Sequence, residues 1–117
     1  MRPRMTVQEY RQMQENIAIK NKYNAKKTKY NDRTYDSQRE ANRAAEIDLL
    51  IKAGEVIQVF YQVPFNLPGD ITYKADFVIL WRDGHWSVED AKGAKTDVYK
   101  LKKKLMYSTY EILIHEV

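Results

Sequence analysis

The stretch ITYKADFVILWRDGHWSVEDAK, Ile71 to Lys92, decides the fold. Both halves carry the period-two alternation of half-buried strands, and Asp83-Gly84 between them is a turn signal, so the stretch is predicted to be an antiparallel hairpin. Its register decides which charged residues meet. With a three-residue loop, Arg82-Asp83-Gly84, and Gly84 left-handed, Trp81 pairs with His85 and Asp76 falls opposite Asp90. With Asp83-Gly84 alone in a type I′ turn, Asp76 pairs with Ala91 and Glu89 joins its face. Both registers are open to the sequence. The first is preferred because it gathers Val78, Leu80, Trp86 and Val88 on one side. On the second strand Asp90 and Lys92 then project together, and Glu89 projects the other way.

Working outward, SQREANRAAEIDLLIKA (37–53) is predicted to be a helix, capped by Ser37 and ended by Gly54. EVIQVFYQVPF (55–65) reads as a strand ending near Pro64, and NLPGD (66–70) as a turn. Beyond the hairpin, Thr96 caps a last helix, TDVYKLKKKLMYS, with Val98, Leu101, Leu105 and Met106 on one side. EILIHEV closes the chain as a strand. The expected architecture is an α/β mixed sheet in the order helix, three strands, helix, strand, its first strands antiparallel. Upstream, TVQEYRQMQENIAI (6–19) opens on a Thr6/Glu9 capping box and suits a short amphipathic helix. Lys20 to Tyr35 is polar, with Asn31-Asp32 placed as in a small hairpin or an extended arm.

The bulk numbers exclude several classes. At 117 residues the chain is read as a basic arm, 1–35, and one core domain, 36–117. The absence of cysteine removes disulfides, a thiolate nucleophile and cysteine-ligated zinc. No apolar run approaches the ~20 residues of a membrane span, and the N-terminus lacks a signal-peptide core. The chain is therefore expected to be soluble and cytoplasmic. The formal charge is +4, but the first 35 residues hold nine Lys/Arg against three acids, +6, leaving −2 for the rest. A basic arm interleaved with Tyr10, Tyr23, Tyr30 and Tyr35 suits a polyanion, with cations on phosphates and rings on bases. The blander reading is a solvated leader.

Helix geometry adds a third acid. Glu40, Ala44, Ile47 and Ile51 fall on one stripe, so Glu40 faces the sheet, while Glu46 points away. Ser37 to Glu40 is also a capping box, a purely local explanation of the same glutamate. Carboxylates gathered within a few ångström repel one another unless a proton or a cation intervenes. Hard oxygen ligands select Mg²⁺ or Mn²⁺, which retain waters and bind substrate phosphate. A lysine beside them, Lys92, can orient the attacking water or offset phosphorane charge. Taken alone, D-x-K is an ordinary solvated strand end. Joined to Asp76, Glu40 and the basic arm, it points to phosphodiester hydrolysis.

These residues resemble the PD-(D/E)xK nuclease superfamily, with Ala75-Asp76 standing for its P-D, Asp90-Ala91-Lys92 for its (D/E)-x-K and Glu40 for its helix acid. NKYNAKKTKY, TYDSQREANRAAEIDLL, YQVPF, YKADFVI and VEDAKGAKTDVYKLKKKLM together resemble a family of small phage-encoded proteins grouped with the resolvase-like nucleases, many carrying no assigned function. That resemblance implies a restriction-endonuclease-like core, Glu40, Asp76 and Asp90 as Mg²⁺ (or Mn²⁺) ligands, Lys92 as the residue assisting water, and Gln62 as a polar helper. Glu89 is read as a solvent or outer acid. His85 and His115 lack metal-ligand spacing. Lys20, Lys22, Lys26, Lys27, Lys29, Lys95, Lys100, Lys103 and Lys104 are the expected DNA contacts.

The function expected is a Mg²⁺-dependent DNA endonuclease acting on branched DNA such as a Holliday junction, as a homodimer in the cytoplasm of a phage-infected host. Two alternatives stand beside it: a non-catalytic DNA-binding module of nuclease-like fold, and a phage nuclease for linear or specific-sequence DNA.

Overall fold

The fold is taken from a computed structural model that describes Gln8, 28–30 and 33–117. The helix expected over 6–19 therefore lies outside the described residues, Gln8 apart. A short antiparallel hairpin, β1 (Thr28–Tyr30) and β2 (Arg33–Tyr35), precedes helix α1 (Gln38–Lys52). Strands β3 (Val56–Leu67), β4 (Ile71–Trp81) and β5 (Trp86–Asp90), helix α2 (Asp97–Tyr110) and strand β6 (Ile114–Glu116) complete the order. The mixed four-stranded sheet runs β3-β4-β5-β6, antiparallel except for the β5–β6 pair. No helix among the described residues is long and apolar enough to cross a membrane.

Local chemistry places these elements. Ser37 Oγ accepts the Glu40 N–H at 3.1 Å, satisfying one of the free amides of the first turn of α1, and Gly54 follows its end with φ +80. In the β4–β5 turn Gly84 has φ +92 and its N–H bonds Trp81 O at 2.9 Å, while Trp81 N–H bonds His85 O at 3.0 Å. That is the three-residue loop, and Phe77 faces Glu89, which puts Asp76 opposite Asp90. β3 continues past Pro64 to Leu67, contrary to the expected end. Pro64 fits because β3 is an edge strand, where a missing N–H costs no ladder bond.

Two cores lie on the two faces of the sheet. Tyr30, Tyr35, Ala44, Ile47, Val59, Phe77 and Ile79 pack under α1, and Tyr73, Ala75, Val88, Met106 and Ile114 pack with α2. The burial of Tyr30 and Tyr35 removes them as base-stacking rings. Tyr30 is also fixed by a hydrogen bond from its hydroxyl to buried Asp48. On α2 the buried side chains are Tyr99 and Met106, while Val98 is 62% and Leu101 51% exposed. The expected Val98–Leu101 face is thus turned outward, because Tyr99, with a hydroxyl that reaches Glu116 at 2.9 Å, takes the inner position.

Strand alternation breaks at one place. Phe77 serves the α1 core, yet Ala75, two residues away, serves the α2 core. In β3, Gln62 lies between the pairs Tyr61–Phe77 and Val63–Ala75 and has φ +52. A left-handed backbone costs a non-glycine residue roughly 1–2 kcal/mol. The β3–β4 ribbon changes sides at Gln62 and Asp76.

Glu89 projects to the α1 face and is buried there against Arg43, whose Nε and Nη2 donate to its two oxygens at 2.7 Å each. This bidentate pair corrects the reading of Glu89 as a solvent or outer acid. Arg43→Ala is expected to cost about 3–5 kcal/mol by leaving Glu89 buried without its partner, whereas replacing both residues with methionine recovers most of that loss. Urea unfolding with an unchanged m-value measures both.

Candidate metal and phosphodiester site

The site grows out of the point where β4 and β5 part. The strand ladder ends at Asp90, so Ala91 and Lys92 lie beyond β5 and not on it as the sequence suggested. The next backbone donor, Ala91 N–H, bonds Asp76 Oδ2 at 2.9 Å, a side chain taking the role of a strand carbonyl. The other oxygen of Asp76 accepts from Gln62 Nε2 at 3.2 Å, and the same nitrogen donates to Glu40 Oε2 at 3.2 Å. Glu40 Oε1 accepts the Asp36 N–H at 3.4 Å. The capping box is therefore half-formed: Ser37 caps, but Glu40 reaches Asp36 and Gln62 instead of returning to the Ser37 N–H.

Asp90 is 1% exposed. Its Oδ2 accepts from the Tyr73 hydroxyl at 2.6 Å, while Oδ1 is buried without a hydrogen bond. Lys92 Nζ lies 3.3 Å from Oδ1 as an ion pair lacking hydrogen-bond geometry, and 4.8 Å from the centre of the Tyr99 ring. The structure thus brings Glu40, Gln62, Asp76, Asp90 and Lys92 together around one fork. Tyr73 is the member that sequence reasoning missed. Regular alternation places it on the face away from Asp76, and only the change of sides at Asp76 turns it toward Asp90.

Electrostatics shows what the arrangement lacks. Burial and the neighbouring Asp76 push the Glu40 carboxyl up to about 8. Burial also raises Asp90, against the opposing Tyr73 hydrogen bond and Lys92 charge. The Tyr73 phenol is pushed well above its usual range by burial and by Asp90. Among the described residues no three His, Cys, Asp or Glu side chains are arranged to hold a metal ion. The Gln62 amide stands between Glu40 and Asp76, its Nε2 donating to both. The donor chemistry is nevertheless of the kind that suits a hard divalent cation: Glu40 and Asp76 share the Gln62 amide, and Asp90 has a buried oxygen without a hydrogen bond.

The lysines divide. Lys95, Lys100, Lys103 and Lys104 line one cavity of about 620 Å³ with Tyr107 and Leu113. Within it Glu116 holds Lys95 at 3.0 Å and Lys103 at 3.2 Å, and with the Tyr99 hydroxyl these hold its carboxyl down to about 2. Lys29 is half-buried on β1, and Lys20, Lys22, Lys26 and Lys27 lie outside the described residues.

Residues 20–116 match the model of a family described as Protein of unknown function (DUF1064). No curated protein and no solved structure matches the chain.

A carboxyl whose folded pKa exceeds its unfolded value binds more protons when folded, so Glu40 withdraws stability as pH rises from about 4.5 through about 8. Asp90 acts in the same direction. In EDTA the melting temperature should therefore fall between pH 5 and pH 8.5, and Glu40→Gln should flatten that fall. Millimolar Mg²⁺ should raise the melting temperature more at the alkaline end than at the acid end, by several degrees at roughly a hundredfold excess over its Kd. A Glu40→Gln profile as steep as the parent's would refute the assignment.

Proposed function

We propose that this chain, which belongs to the DUF1064 family, is a divalent-metal-dependent endonuclease with a restriction-endonuclease-like core that hydrolyses phosphodiesters in DNA, branched DNA above all. The observation that carries the reading is the convergence at one fork of Glu40 from α1, Asp76 from β4, Asp90 from the end of β5 and Lys92 just beyond it. Asp76 ends β5 by taking the Ala91 N–H, but that duty does not account for Glu40, Asp90 and Lys92 beside it. The carboxylates repel, Glu40 is held up to about 8, and Asp90 Oδ1 is left without a hydrogen bond. A bound substrate and cation give the same residues a purpose.

Glu40, Asp76 and Asp90 would hold the cation, which supplies Lewis-acid polarisation of a phosphoryl oxygen and a water of lowered pKa. The chain's own residues do the rest. Lys92, steadied over the Tyr99 ring, orients the attacking water and offsets the charge that develops on the phosphorane oxygens. The water oxygen bonds phosphorus, one phosphorus–oxygen ester bond breaks, the water gives up a proton and the departing sugar oxygen takes one. Tyr73 and Gln62 act as positioning residues: the Tyr73 hydroxyl fixes Asp90, and the Gln62 amide spaces Glu40 from Asp76. Resolution of a four-way junction takes two symmetric cuts, so the reading includes a homodimer.

The test is cleavage of a four-way junction and of matched linear duplex, with Mg²⁺ or with EDTA. Cutting should require Mg²⁺ and favour the junction. Asp90→Asn and Lys92→Ala should each lower the rate by about 10²–10³ or more. Equal cutting of both DNAs would assign a linear-DNA nuclease. Intact DNA in every lane with binding retained would make the chain a binding module.

A further inference from the structure

Two cavities open at the two ends of the hydrogen-bonded group. One, of about 320 Å³, adjoins Glu40 and Gln62 and carries Arg33 against Asp36 and Glu40. The Arg33 guanidinium is laid over the Tyr61 ring, 4.1 Å from its centre. With one base beside two carboxyl groups, this end offers no surplus of cations. The other cavity, about 440 Å³, lies between Thr72–Lys74 of β4 and the first turns of α2, and includes Asp90 and Lys92. Lys74, Lys92 and Lys102 line it against the single acid Asp90.

The state of those lysines is informative. Among the described residues Lys92 is held by Asp90, and Lys95 and Lys103 by Glu116. Neither Lys74 nor Lys102 has a carboxylate within ion-pairing distance among the described residues. They stand on opposite walls, one on a strand and one on a helix, with Val98, 62% exposed, as an apolar surface beside them. Two unpaired cations facing across an apolar-edged cleft complement a phosphate with its sugar. At about 440 Å³ the cleft has the size to take a phosphate together with its sugar.

We infer that this cleft grips a single DNA strand on one side only of the bond to be cut, Lys74 and Lys102 holding the neighbouring phosphate from its two walls. The substrate's identity rests on the nuclease reading. The asymmetric grip rests on the cleft itself.

The experiment uses the full chain carrying Asp90→Asn, which stops cutting, and a short fluorescent oligothymidylate whose binding is followed by anisotropy across a salt series. Lys74→Ala and Lys102→Ala should each weaken binding and lower the magnitude of the log Kd–log salt slope by about 0.7, the single-strand value per phosphate contact. Lys74→Arg and Lys102→Arg should keep the slope. Lys52→Ala, at the far end of α1, should leave affinity and slope unchanged. Slopes equal to the parent's in both alanine variants, or an equal loss in Lys52→Ala, would overturn the inference. The parallel cleavage assay separates the two readings. Mg²⁺-dependent cutting that both alanine substitutions leave unaltered sinks the cleft and keeps the nuclease, while lysine-dependent oligonucleotide binding without cutting keeps the cleft and sinks the nuclease.

Discussion

The hydrogen bond from Ala91 N–H to the Asp76 carboxylate is the interaction on which the rest of the molecule turns. A strand that leaves its sheet exposes a backbone donor, and a part-buried donor left unsatisfied costs about 1–3 kcal/mol. By accepting that donor, Asp76 lets β5 stop at Asp90 without penalty. The chain is then free to carry Lys92 into the cleft and to begin α2 on the opposite face. The same bond fixes Asp76 in the orientation that reaches Gln62 and, through it, Glu40. One carboxylate thus ends a strand, starts a crossover and ties Gln62 and Glu40 to the strand end.

Glu89 and Asp90 are consecutive, both buried, and opposite in fate. Alternation sends Glu89 toward α1, where Arg43 meets both its oxygens in the planar fork that suits a carboxylate. Asp90, sent toward α2, meets a tyrosine on one oxygen and no hydrogen bond on the other. A structural acid is one whose valences are filled within the fold. Asp90 keeps one oxygen without a hydrogen bond and with only the Lys92 charge beside it, which is where the proposed cation would bind. The strained Gln62 backbone lies where the β3–β4 ribbon changes sides and carries the amide that joins Glu40 to Asp76.

How far the sequence could be read follows from how local each signal is. The β4–β5 register was legible because Gly84 can take the left-handed position of a three-residue turn at little cost, and the apolar row agreed with that choice. The facing of Glu40 was legible from helical spacing, and α1 starts and ends where Ser37 and Gly54 indicate. Three things were not. The end of β5 depends on a side-chain acceptor fifteen residues upstream, which no strand pattern encodes. Tyr73 reaches Asp90 only because the ribbon changes faces, so alternation pointed away from it. The inward face of α2 was legible at Leu105 and Met106 and not at Val98 and Leu101, because Tyr99 is drawn inward with its hydroxyl on Glu116 and its ring beneath Lys92.

The two tryptophans of the chain flank the β4–β5 turn. Trp81 lies flat against His85, with 5.7 Å between ring centres, and donates to Ser87 Oγ at 2.7 Å, while Trp86 stacks on Phe60 at 6.0 Å. Five residues of strand separate Trp81 from Asp76, roughly 17 Å. The indole fluorophores of the protein are therefore sited at the end of the sheet away from the fork. Their ultraviolet emission reports first on whether the turn end of the sheet is assembled.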